Sequence, residues 1–171
     1  YLLVEIPLIQ KFILFLDHPS FAVTTVLFTL LLFSGLGSHV SHRFSPRLVL
    51  LILVAAVSSS LLIYPQLINS LLGLSRTLRL LVTVLALAPV GFLMGFPMPF
   101  GLAALEHSHP QLIPWVWGVN GASSVVASVL AALLALSLGF RAVLLIGALC
   151  YFGAWLLYPA LTLRQTPPPP R

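Results

Sequence analysis

The chain has 171 residues, of which only 6% are charged and 60% hydrophobic, and its mean hydropathy is +1.11. Soluble domains carry about 25% charged residues, so a water-soluble globule with an ordinary surface is excluded. The formal net charge of +5 comes from scattered Lys and Arg set against Glu5, Asp17 and Glu106; no nucleic-acid-binding patch forms, and basic residues at span ends fit topology signals or contacts with anionic headgroups.

Apolar runs of about 17–25 residues in series match a hydrocarbon core roughly 30 Å thick, and a series of them cannot be a signal peptide. The expected fold is all-α, a polytopic bundle of about six membrane helices with one proline-broken connection. Residues 1–163 form the transmembrane domain and residues 164–171 a proline-rich tail. Residues 1–16 are the first span, short at about 24 Å by helix rise. They begin at Tyr1 inside an apolar run and without a methionine, so the chain is expected to continue upstream. Asp17-His18-Pro19-Ser20 reads as a turn, with Ser20 as the helix cap. The second span covers residues 21–37 and ends in Ser34-Gly35-Leu36-Gly37-Ser38, small residues that permit close approach or termination.

Residues 39–47 form a polar basic loop, with Pro46 where a helix would start. The third span is 48–64, in which Ser58, Ser59 and Ser60 return hydrogen bonds to the helix backbone or to a neighbour. Residues 65–79 read as an interfacial loop with Arg76 and Arg79 at the headgroups. The fourth span, residues 80–96, carries Pro89 as a kink and Gly91 and Gly95 as a small-residue pair. Phe96-Pro97-Met98-Pro99-Phe100-Gly101 reads as something other than ordinary helix, an interfacial or re-entrant connection. Trp115 and Trp117 mark an interface. The fifth span, 115–138, places Ser124, Ser128 and Ala132 on one face as a tightly packed seam, and Gly139-Phe140-Arg141 reverses the chain into the sixth, 142–163. Positive-inside counting is a near tie, and both termini are assigned to the cytoplasm.

Four intramembrane polar residues are the candidate functional contacts: Glu5, Gln10, Lys11 and Asn120. Polar groups in such a background must face a helix interface, a cavity or a partner. Glu5 and Lys11 lie about 240° apart around a helix, which disfavours a simple ion pair between them. The plainer reading has Lys11 snorkelling while Glu5 and Gln10 pair with a neighbouring helix or with the expected upstream part; Asn120 is expected in a helix seam. His39, His42, His107 and His109 are of a type that holds a metal or a chlorophyll magnesium, and ordinary interfacial histidines account for them. No metal site and no cofactor is assigned. Cys150 is alone, so no disulfide framework is present. No phosphate-cradling loop, nucleophile elbow or paired carboxylates occur, so no catalytic centre is assigned to this chain.

Three blocks carry a family resemblance. They are Leu3-Val4-Glu5-Ile6-Pro7-Leu8-Ile9-Gln10-Lys11-Phe12-Ile13-Leu14-Phe15-Leu16 with His18-Pro19, then Gly95-Phe96-Pro97-Met98-Pro99-Phe100-Gly101-Leu102, then Pro114-Trp115-Val116-Trp117-Gly118-Val119-Asn120-Gly121-Ala122-Ser123-Ser124. With Gly139-Phe140-Arg141 they resemble the membrane part of multi-spanning spermidine synthase-like proteins of bacteria. The resemblance implies a multi-pass protein of the bacterial inner membrane. It also implies an aminopropyltransferase-like Rossmann module upstream, using decarboxylated S-adenosylmethionine and a polyamine acceptor. That module's glycine-rich loop and acidic amine-binding residues have no counterpart here.

The leading expectation is a non-catalytic membrane module that anchors or scaffolds such a protein or a larger complex. It would face the lipid bilayer and a protein partner or upstream domain. The alternatives are a small-solute transporter, with a polyamine as one candidate solute, and an accessory subunit of an energy-converting, pigment-binding complex.

Overall fold

Residues 1–106 and 109–163, described in a computed structural model, hold seven α-helices and no strand. They are α1 (Leu2–Leu16), α2 (Pro19–Val40), α3 (Pro46–Leu71), α4 (Arg76–Met94), α5 (Pro97–Glu106), α6 (Ile113–Leu138) and α7 (Phe140–Leu163). The expected all-α bundle is what forms. Five helical segments are long and apolar enough to cross a membrane, with α4 and α5 counted as one. The expected sixth, α1, has 15 residues, short of the roughly 20 needed for a span. His107 and the proline-rich tail 164–171 lie outside the described residues.

Short α1 is nevertheless the hub. Val4, Leu8, Phe12 and Phe15 repeat at helical spacing and are fully buried, so one whole face of α1 is core. That face meets α2, α4, α6 and α7. Gly147 of α7 permits the approach, since a Cβ there would lie 2.8 Å from Val4 Cγ2. Pro7 inside α1 removes one helix hydrogen bond, yet the helix runs on to Leu16 because its surroundings hold it. Asp17 then closes it in the left-handed region at φ 60°. Helix α2 starts at Pro19 with His18 in the capping position, so Ser20 lies within the helix and not at its cap.

Proline placement accounts for most other differences from expectation. Pro46 opens α3, where a missing N–H costs nothing. Pro65 does not end it: α3 continues to Leu71, so residues 65–71 are helix and not interfacial loop. Ser59 and Ser60 donate to the carbonyls of Ala56 and Val57 in the same helix, at 3.0 and 2.6 Å. The expected non-helical stretch at residues 96–101 is also corrected. The break falls at Gly95 and Phe96, and Pro97 and Pro99 sit in the first turn of α5, where their missing donors would have no intrahelical partner. Phe96 is 1% exposed and plugs this corner among Phe44, Phe92 and Phe100, with ring centroids 5.2–5.6 Å apart.

The closest helix pair is α2 with α4. Leu30 faces Gly91 and Ser34 faces Gly95, and Arg76 lies over Phe21 at the start of both, so the two helices run parallel; Gly37 meets the Phe92 carbonyl. Small residues let their backbones touch, which in lipid replaces the hydrophobic drive that helices lack there. The run of small residues at 34–38 therefore serves close approach, and α2 passes through it to Val40.

Tyr64 of α3 joins three helices. Its ring meets Phe12 of α1 edge-on at 5.6 Å, and its hydroxyl donates to the Ala86 carbonyl of α4 at 3.0 Å. Tyr64→Phe keeps the ring and removes the hydrogen bond, so a stability loss of about 1 kcal/mol is expected in thermal unfolding of the detergent-solubilised protein.

Helix α6 is the exception to this packing. Of its residues only Ala131 is buried. Ser124 and Ser128 are half-buried and Ala132 is exposed. The tightly packed seam expected on this face is therefore absent. The hydroxyls of Ser124 and Ser128 turn back to the Asn120 and Val125 carbonyls of their own helix, both at 2.8 Å.

Candidate functional site: a cavity around Glu5

Helices α1, α2, α6 and α7 and the α4–α5 corner leave an open cavity of about 960 Å³ near the start of α1. Its polar lining comes from Tyr1, Glu5, Ser34, Ser38, Asn120, Ser124 and Tyr151. The corner supplies Gly95, Pro97 and Pro99, and Trp117 adds an indole from α6. The fold produces each of these positions. One turn of α2 separates Ser34 from Ser38, so both hydroxyls share a face. The break at Gly95 and Phe96 separates α4 from α5 beside the cavity.

Glu5 is 4% exposed, and its carboxyl has no hydrogen bond or ion pair with any described residue. By helix rise it lies roughly 18 Å from Asp17 at the other end of α1, which is deep within a hydrocarbon core about 30 Å thick. A carboxylate at such depth is costly. Among the described lining residues there is no Lys, Arg or His, and the Tyr1 amino group is the one positive charge that acts on it. The site is a concave, largely apolar chamber with one acid, several hydroxyls and one amide. Such a constellation can orient a small solute by a few polar contacts while apolar walls exclude water.

The four sequence candidates separate. Glu5 and Asn120 come together on this cavity. Gln10 is exposed on α1 and makes no side-chain hydrogen bond to another helix among the described residues. Lys11 does not snorkel: its Nζ is buried and has no hydrogen-bond partner among the described residues. Asn120 is on an open wall and not in a helix seam. Ser34, Ser38 and Tyr151 were not among the candidates. Four-residue spacing of the two serines was the available signal; for Tyr151 there was none, because tyrosine is unremarkable in an apolar helix.

A second, apolar groove of about 500 Å³ adjoins the first between α5 and α6, lined by Leu105, Leu112, Trp115 and Val119. Met98 and Asn120 line both spaces. The histidines are elsewhere: His39, His42 and His109 are exposed. Among the described residues no three His, Cys, Asp or Glu side chains group as a metal site. The single cysteine, Cys150, is exposed.

Fold and cavity define a multi-pass helical membrane protein whose apolar helices suit contact with a bilayer. Comparison with protein-family models, curated proteins and solved structures finds no match.

Proposed function

We propose that this chain is a membrane-embedded solute-binding module of transporter type, with the Glu5 cavity as its binding site. The observation that carries the reading is the buried, unpartnered Glu5 carboxyl opening onto a cavity at a helix break. Broken helices beside a buried polar group are how membrane transporters build sites at mid-depth. The three sequence blocks that stood out for their polar, proline and tryptophan residues also meet here, through Glu5, the Gly95–Pro99 corner and Trp117 with Asn120. The resemblance drawn from those blocks supports a bacterial inner-membrane location.

The test is water access. In a Cys150→Ala background, Asn120→Cys is expected to react with a membrane-impermeant maleimide in sealed vesicles, while Leu136→Cys on the open face of α6 stays unlabelled. Failure of Asn120→Cys to react after detergent opening of the vesicles would remove the reading.

A second reading is that the chain anchors a spermidine synthase-like protein or a larger complex. It is favoured by α6, whose apolar surface is almost wholly uncovered. Gentle-detergent purification with intact mass tests it. A much longer polypeptide with a soluble upstream domain is expected under this reading, and a lone chain of 18.5 kDa would sink it.

A further inference from the structure

We infer that the cavity takes an organic monocation with an apolar body, its ammonium group set against Glu5 and its hydrocarbon part directed past Met98 and Asn120 into the α5–α6 groove. The inference rests on the solute-binding reading and adds the chemical class of the solute.

Charge gives the first constraint. Among the described residues Glu5 is the single acidic residue on the cavity wall, and no Lys, Arg or His side chain lines it. An entering cation would find a carboxylate with free lone pairs in surroundings of low dielectric, where a charge-assisted hydrogen bond is strongest. An anion would meet an uncompensated like charge. A neutral solute would leave the carboxylate unpaired. One carboxylate also limits the solute to one buried positive charge, because a second ammonium would have no acid to meet.

Aromatic groups give the second constraint. Tyr1, Trp117 and Tyr151 line the same chamber from three different helices or helix ends. Aromatic faces around an acid suit a cation that carries carbon substituents, through attraction to the ring quadrupole. Shape gives the third. The chamber of about 960 Å³ shares Met98 and Asn120 with an apolar groove of about 500 Å³. A solute with a charged head and an apolar tail fills both, whereas a bare metal ion or a short diamine fills neither.

The experiment uses the full chain in lipid nanodiscs, with empty nanodiscs as the blank for partitioning. The probes are 4-phenylbutylamine, the alcohol and carboxylate of matching shape, butylamine and 1,4-diaminobutane, each titrated by calorimetry. The amine is expected to bind at least tenfold more tightly than the alcohol. The Glu5→Gln variant should bring it down to the alcohol's level, and Glu5→Asp should retain part of the preference. The diamine should bind no more tightly than butylamine. If the alcohol or the carboxylate binds as well as the amine, or if the preference survives Glu5→Gln, the cation inference falls while solute binding stands. If no probe binds the unaltered protein above the blank, both fall.

Discussion

Gly95→Ala is expected to force α2 and α4 apart and to lower stability by about 2–3 kcal/mol. A Cβ at this position would collide with the Ser34 carbonyl oxygen and lie 2.8–2.9 Å from the Ser34 carbonyl carbon and Cα. These are backbone atoms of a helix, so no rotamer change relieves the overlap. Gly37→Ala meets the same obstacle at the Phe92 carbonyl. Overpacking typically costs about 1–3 kcal/mol and more where the neighbour cannot yield. Alanine's better helix propensity returns about 1 kcal/mol at Gly37, inside α2, and less at Gly95, where α4 ends. The clash wins because in lipid this pair is held by close packing and by no hydrophobic gain. Gly35→Ala is the control, since nothing lies within 4 Å of its added Cβ. Thermal unfolding in mild detergent reads all three. A Gly95→Ala midpoint equal to that of Gly35→Ala would refute the close crossing.

Arg79→Lys is expected to cost about 3 kcal/mol, although the charge is kept. The Arg79 side chain is 16% exposed and holds the α3–α4 turn against the end of α1. Its Nε donates to the Leu74 carbonyl and its Nη1 to the Phe15 carbonyl, both at 3.0 Å. It also reaches the Leu72 carbonyl and the Asp17 carboxylate. Hydrogen bonds to a charged group contribute about 1.5–3 kcal/mol each. A lysine ammonium is a single point and cannot span carbonyls on two sides of the guanidinium fork. The ion pair itself matters less, because the Asp17 side chain is 64% exposed and screened pairs contribute about 1 kcal/mol at most. Asp17→Asn should therefore cost under about 1 kcal/mol, with asparagine tolerating the left-handed backbone. Equal losses for the two variants, in unfolding titrations of micelle-bound protein, would show that the carbonyl contacts do not carry the joint.

Helical runs were legible because apolar length alone demands them in lipid, where backbone groups must pair within a segment. Proline was legible only where its role is local. Pro46 is a helix start under any packing, whereas Pro65 was taken for a helix end, and Pro97 with Pro99 for a non-helical stretch. The difference lies in whether the carbonyl left without a donor is tolerated, which tertiary surroundings decide. The glycines at positions 37, 91 and 95 were visible as small residues, but their mutual facing was not. The same spacing logic failed on α6, where Ser124, Ser128 and Ala132 share a face with little to pack against. Glu5 and Asn120 stood out because polar residues are rare here; that they line one space with Ser34, Ser38 and Tyr151 depends on helices far apart in sequence.

The uncovered state of α6 has a mechanical consequence for the cavity. One jaw, the α2–α4 crossing with the Phe96 plug behind it, is stiff: its backbones touch, and any shear compresses atoms already at contact distance. The other jaw carries Trp117 and Asn120 on a helix in which Ala131 alone is buried. Contact stiffness grows with the number of packed atoms, so a given load displaces the second jaw far more than the first. Changes in cavity width are therefore expected to fall on α6, the wall with the least burial.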